Sequence, residues 1–169
     1  MKKWMAMFAI VVFAAGPALA VMPMINQGTK SLGVSGTLDD TGNDFRLALS
    51  GSGGYFLMDY IEVGVGVGAS LIGSDYKEFG ASVFGEYNFD LGMPVVPIAG
   101  ASAGFEWADW DGDSDGYVSL GLWGGAKYFL VDYAAIRGTF QLSLASKDVY
   151  NGGEDKMDWA FVLGTQWYF

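Results

Sequence analysis

The chain is predicted to be an all-β protein, an eight-stranded antiparallel up-and-down transmembrane β-barrel. Three observations carry that expectation. Half of the residues are hydrophobic, yet past the N-terminus no run reaches the ~18 apolar residues of a membrane helix. Eight segments alternate apolar with small or polar residues at the period of two that marks a strand. Each has the roughly 9–11 residues that a tilted membrane-crossing strand requires, and eight is the smallest of the even strand numbers such barrels use.

The first residues stand apart. Met1, Lys2, Lys3 and Trp4 begin the chain with positive charge, Met5–Ala15 is apolar, and Gly16-Pro17 leads to the small-residue site Ala18-Leu19-Ala20. This pattern is a secretory signal peptide cut after Ala20. The apolar run is too short for a spanning helix. Residues 1–20 are therefore assigned to export and 21–169 to one barrel domain, with Val21–Thr29 as a periplasmic tail or plug.

The strands follow in order. The first, about Lys30–Leu38, sets Leu32, Val34 and Leu38 against Ser31, Ser35 and Thr37. The second, about Phe45–Phe56, turns Phe45, Leu47, Leu49 and Tyr55 outward and Arg46, Ser50 and Ser52 inward. The third, about Ile61–Ile72, is the cleanest: Ile61, Val63, Val65, Val67, Ala69 and Leu71 alternate with Glu62, Gly64, Gly66, Gly68 and Ser70. The fourth, about Phe79–Asp90, opposes Phe79, Ala81, Val83, Tyr87 and Phe89 to Ser82, Glu86 and Asn88. The fifth, about Val95–Trp107, puts Ala99, Ala101, Ala103, Phe105 and Trp107 outward, with Ser102 and Glu106 inward. The sixth, about Tyr117–Phe129, has Val118, Leu120, Leu122, Ala126 and Tyr128 out, with Ser119, Trp123 and Lys127 in. The seventh, about Ala134–Ser146, has Ile136, Phe140, Leu142 and Leu144 out, with Arg137, Thr139, Gln141 and Ser143 in. The eighth, Trp159–Phe169, presents Trp159, Phe161, Leu163, Trp167 and Phe169 on its large apolar face.

Three connections read as short turns, at residues 57–60, 90–94 and 130–133. Four read as longer loops, at Asp39–Asp44, Gly73–Glu78, Ala108–Gly116 and Lys147–Met157. Short periplasmic turns and long outer loops are the membrane-barrel pattern. Tyr55-Phe-Leu-Met-Asp-Tyr60 recurs as Tyr128-Phe-Leu-Val-Asp-Tyr133, which reads as shared turn chemistry rather than duplication, because the flanking strands differ. The pairs Phe45/Tyr55, Phe79/Phe89 and Trp159/Phe169 repeat one spacing on one face. Ten residues of tilted strand rise about 25 Å along the membrane normal, the height of the apolar band between two aromatic girdles.

By parity Glu62, Glu86, Lys127 and Arg137 share the periplasmic half of the lumen, and buried charges must pair. A Glu62/Glu86 pair facing Lys127/Arg137 is expected, with Arg46 and Glu106 as a second pair near the outer mouth. The favoured reading is a polar plug, because an eight-stranded barrel is barely wide enough for its own side chains. A gate or narrow conduction path is the alternative. The inward glycines of the third strand are expected to make room for Phe84 and Trp123.

No enzyme is expected. The chain has no His and no Cys, so the usual bases and nucleophiles of neutral-pH catalysis are missing, and no disulfide can form. The strong acidity argues against a nucleic-acid partner, which needs a basic stripe. Asp111, Asp113 and Asp115, with Gly116, match the first half of a calcium loop, D-x-D-x-D-G. The position that should carry a bidentate Glu is Leu122, so a flexible acidic loop is the favoured reading and a weak divalent-cation site the alternative. No cofactor is expected.

The terminal strand ending on Trp167 and Phe169 resembles the C-terminal assembly signal of Gram-negative outer-membrane barrels. With the eight-strand pattern, Lys30–Phe169 resembles the small outer-membrane β-barrel family of the OmpA-transmembrane-domain and OmpX type. The resemblance implies an outer-membrane location, outer-membrane lipid, lipopolysaccharide and the barrel assembly machinery as partners, and a monomer. Outer-membrane barrel enzymes rely on a His that this chain lacks. No cell-wall-binding domain is expected after the barrel. Two functional classes follow: a structural or surface-interaction barrel with a lumen largely plugged by side chains, or a narrow porin-like pore or small-ligand passage.

Overall fold

In a computed structural model, which describes residues 21–40, 45–72, 76–110, 113–150 and 155–169, eight strands close into a single barrel. They are β1 (Lys30–Asp40), β2 (Phe45–Met58), β3 (Ile61–Ile72), β4 (Tyr76–Asn88), β5 (Val95–Trp110), β6 (Asp113–Val131), β7 (Ala134–Ala145) and β8 (Met157–Tyr168). Each pairs antiparallel with its sequence neighbour, and β1 pairs antiparallel with β8. The expected fold class is the observed one. The signal-peptide residues lie outside the described residues.

Strand alternation sorts the side chains as the pleat requires. Val65, Val67, Val83, Leu120, Leu122 and Phe140 are all exposed on the outer wall, while Glu62, Lys127 and Asn88 are fully buried inside it. An outer surface this apolar, around a polar interior, inverts the arrangement of a water-soluble barrel. The girdle aromatics Tyr55, Phe79, Phe89, Trp159 and Phe169 are exposed on that wall. The side chain of Phe45 lies outside the described residues.

The barrel has a terminal end, where Lys30 and Phe169 exchange two backbone hydrogen bonds (2.8 and 3.0 Å), and a distal end. The distal connections are shorter than the sequence suggests. β5 and β6 stay in register out to Trp110↔Asp113, so most of the expected loop Ala108–Gly116 is strand. Likewise Asp39 and Asp40 belong to β1, and Tyr76–Glu78 to β4. Asp and Gly are weak strand formers, and continuous cross-strand hydrogen bonding overrides that preference here. The connection from Ala145 of β7 to Met157 of β8 keeps the length the sequence suggests.

The recurring turn sequence builds two matching turns. The register of β2 with β3 shifts between Phe56 and Met58, and that of β6 with β7 shifts between Phe129 and Val131. Such a bulge re-aims the strand end. Phe56 and Phe129 keep the inward parity of their strands and are fully buried, while past them both Leu57 and Met58, and both Leu130 and Val131, are exposed. Tyr60 completes the first turn at a φ of 71°, in the left-handed region where a non-glycine residue is strained.

Candidate functional site in the lumen

The lumen has three layers. At the terminal end lies an apolar floor of Ile25, Phe56, Val96, Ile98, Phe129, Ala135 and Tyr168. Ile25 comes from the segment that precedes β1 and is only 2% exposed. That segment crosses the barrel mouth and is held on both sides by the twin turns. The backbone N–H of Gln27 donates to Asp59 Oδ1 (2.8 Å), and that of Met22 donates to Asp132 Oδ1 (2.9 Å). Met24 N–H donates to the Asp132 carbonyl (3.0 Å), and Tyr60 N–H to the Ile25 carbonyl (2.8 Å). The two Asp residues of the repeated motif thus hold the two ends of one segment, a role with no signal in the local sequence pattern.

Above the floor sits the charge layer. Glu62 and Glu86 are direct cross-strand partners on β3 and β4, and Lys127 and Arg137 are direct partners on β6 and β7. Each like-charged pair is unfavourable alone. The lumen brings the two pairs together. Lys127 Nζ lies 3.2 Å from Glu62 Oε2 and 2.7 Å from Glu86 Oε1, and Arg137 Nη2 lies 2.7 Å from Glu86 Oε2. Arg137 makes no ion pair with Glu62 among the described contacts; Lys127 alone serves both carboxylates. The remaining donors and acceptors come from neutral groups. Lys127 donates to Asn88 Oδ1 (2.8 Å), Trp123 Nε1 to Glu86 Oε2 (2.7 Å), and Gln166 Nε2 to Glu62 Oε1 (2.9 Å). Ser31 also donates to Glu62. Ser31, Asn88 and Gln166 carried only a parity signal, since nothing in a single strand shows which carboxylate they meet.

Two aromatic rings roof this layer. Phe84 and Trp123 meet edge to face, with centroids 6.4 Å apart, and Arg137 lies over the Trp123 ring at 5.6 Å. Gly64 of β3 makes room for Phe84, since a Cβ there would come within 2.5 Å of the ring. Room for Trp123 comes from Gly100 of β5, where a Cβ would lie 2.7 Å from Nε1. The expectation that third-strand glycines accommodate both rings is corrected in that respect: the β5–β6 register sets Trp123 directly opposite Gly100.

The distal half is a cup. Its cavity, about 320 Å³, has walls of small hydroxyl side chains, among them Ser35, Ser50, Ser82, Ser102 and Ser143. Glu78, Glu106 and Asp158 also line it. Glu106 Oε2 accepts from the Tyr117 hydroxyl at 2.7 Å, which also contacts Glu78. The side chain of Arg46, the expected partner of Glu106, lies outside the described residues. So do Asp111 and the side chains of Asp113 and Asp115. The backbone of the latter two runs as regular β6 strand opposite Trp110 and Ala108. Among the described residues no group of three or more Asp, Glu, His or Cys is placed to hold a metal ion. Trp167 and Phe169 are exposed on the outer wall at the terminal end.

No family model and no curated protein matches this sequence. Solved structures do match its fold. The N-terminal β-barrel domain of Pseudomonas aeruginosa OprF aligns at a TM-score of 0.66 with 17% identity, over 85% of this chain and 98% of that one. Neisserial surface protein A aligns at 0.61 with 15% identity, over 83% and 96%. The Yersinia pestis outer membrane protein Ail in a phospholipid nanodisc aligns at 0.51 with 16% identity, over 85% and 100%. The chain therefore has the fold of the small outer-membrane β-barrels.

Proposed function

We propose that this protein is an integral outer-membrane β-barrel with a structural or surface-interaction role, and that it neither conducts nor catalyses. It is exported by its signal peptide, inserted by the barrel assembly machinery, and resides as a monomer in the lipid and lipopolysaccharide of a Gram-negative outer membrane. The observation that supports the role is that a charged layer and an apolar layer fill the terminal half of the lumen. Fully buried ion pairs span it at Glu62, Glu86 and Lys127, and below them the N-terminal segment seats Ile25 in an apolar floor. Ions crossing would have to break paired, desolvated charges and then pass a dry layer.

The distal end supports the surface role. Fourteen of the nineteen acidic residues, but only four basic ones, fall in or beside the four distal connections. A face so charged favours contact with basic partners or with cations that bridge it to lipopolysaccharide phosphates. The cavity of the distal cup favours a second reading, a narrow passage with a movable floor. Planar-bilayer recording of the refolded protein separates the two. Silence, or rare brief events, is expected; sustained unitary conductance at modest voltage would establish the passage.

A further inference from the structure

The shortest strand seam of the barrel forms one wall of the cup. β1 and β8 pair from Ser31↔Tyr168 to Gly36↔Leu163, and among the described residues the pairing stops there. Beyond it β1 runs on to Asp40 paired only with β2, and β8 begins at Met157 paired only with β7. On the inner side Thr37, Ala160 and Val162 flank this stretch and line the cup. On the outer side it is bordered by the exposed Val34, Trp159 and Phe161. Trp159 and Phe169 mark the two girdles on β8, so the stretch between Leu163 and Trp159 lies in the outer half of the apolar band. Backbone groups without a ladder partner are costly at that depth. A ligand that offers hydrogen bonds from the cup and hydrocarbon from the lipid side meets both needs of the seam.

The polar groups of the cup decide which head fits. Its charged side chains are already engaged. Arg137 is held by Glu86 at 2.7 Å and covers the Trp123 ring. Glu78 and Glu106 both meet the Tyr117 hydroxyl, and Asp158 Oδ1 accepts from the Trp159 N–H at 2.8 Å. A charged head would have to displace these contacts and lose its own hydration. The cup's other polar groups are mostly uncharged hydroxyls, among them Ser52, Ser82, Ser102 and Thr139. A hydroxyl donates once and accepts twice. Even Ser35 and Ser50, which bond each other at 2.7 Å, therefore keep capacity for a further partner. A neutral polyol matches this wall, because each of its own hydroxyls also donates and accepts. The cavity of about 320 Å³ is at the small end of ligand pockets, which span roughly 300–1,000 Å³, and so suits one small head. We propose that the cup and seam together bind a single-chain lipid with an uncharged polyhydroxyl head, the head against the Ser and Thr hydroxyls and the alkyl chain leaving between Thr37 and Val162 into the outer half of the bilayer.

Such a ligand needs a membrane-inserted barrel, so the site rests on the function proposed above, and the test keeps the two apart. Thr139 lines the cup and is the register partner of Val162 at the seam. The protein is placed in lipid nanodiscs with its Thr methyl groups labelled, and the Thr139 methyl resonance is followed by NMR. Failure to enter nanodiscs as a folded barrel would overturn both readings. In an inserted barrel, 1-decanoylglycerol should shift the Thr139 signal saturably. Decyl sulfate and decyltrimethylammonium, which carry the same chain length on a charged head, and glycerol, which has no chain, should each bind at least about tenfold more weakly. Two variants locate the site. Gly68→Phe should abolish the shift by filling the cup, since a Cβ at Gly68 meets only ordinary contacts at 3.7 and 3.8 Å. The pair Thr37→Cys and Val162→Cys, which continues the β1–β8 register in a chain without native Cys, should block the shift when oxidised and restore it when reduced. No saturable Thr139 shift with 1-decanoylglycerol, equal binding of a charged-head probe or of glycerol, or a shift that survives Gly68→Phe or the closed seam would each overturn the proposed site and leave the membrane barrel standing.

Discussion

Lys127 is the residue on which the lumen depends. It bridges both buried carboxylates, whereas Arg137 reaches Glu86 only. Lys127→Ala leaves two adjacent carboxylates without their shared cation, and removing one partner of a buried pair costs about 3–5 kcal/mol. Arg137→Ala should cost less, because Lys127 still neutralises Glu86. Urea unfolding in lipid vesicles should rank them in that order. The double variant Arg137→Ala with Glu86→Ala should cost less than the sum of its parts, and strict additivity would show that the two do not interact. Parity made all four charges legible, because a strand has only two faces. It could not say which base meets which acid. That depends on the stagger between distant strands, which no local pattern encodes, whereas the space for Trp123 at Gly100 follows from the register of the β5–β6 hairpin.

Among elements, β3 and β2 give the cleanest test of which face meets lipid. Val67 is 64% exposed on the outer wall, and its register partner Gly51 neighbours Ser50, which lines the cup at nearly the same depth. Val67→Arg should destabilise the inserted barrel by about 2–4 kcal/mol if it lies near the bilayer midplane. Ser50→Arg should cost less, because its guanidinium can reach water through the cup. Reversible unfolding in vesicles checks the contrast, and the opposite order would mean inverted faces. The strands themselves were legible from alternation and aromatic spacing. Their distal ends were not, since Asp109, Asp113 and Gly116 read locally as turn residues and are strand only because their hairpin partners hold them there. The repeated Phe-Leu-x-Asp-Tyr sequence was legible as turn chemistry, but its second use was not. Asp59 and Asp132 receive a segment far away in sequence, and a contact at that separation leaves no periodic trace.

For the whole molecule, the question is what keeps a barrel with one short seam closed. Lys30 and Phe169 exchange backbone hydrogen bonds at its terminal edge, and the side chains around them divide the work. Phe169 is 65% exposed on the outer wall, while Tyr168 is 3% exposed in the floor, with its ring 5.2 Å from Phe129 and 6.3 Å from Phe56. Tyr168→Ser should therefore lower the stability of the folded barrel in detergent. Phe169→Ser should leave that stability nearly unchanged and reduce the yield of inserted, heat-modifiable protein in the membrane. Equal effects on both readouts would show that the two aromatics are not divided in this way. The N-terminal segment completes the closure from outside the sheet, because it ties the β2–β3 turn to the β6–β7 turn across the mouth. Its anchor is Ile25, buried among residues contributed by β2, β5, β6, β7 and β8. Truncating a buried Ile leaves a cavity that such a rigid ring of strands cannot collapse to fill, so Ile25→Ala should cost about 2–5 kcal/mol. Met22, in the same segment but 78% exposed, supplies the control, and Met22→Ala should cost almost nothing. If urea unfolding in vesicles finds the two substitutions equivalent, the segment is not seated in the floor, and the barrel is closed at that end by its charges alone.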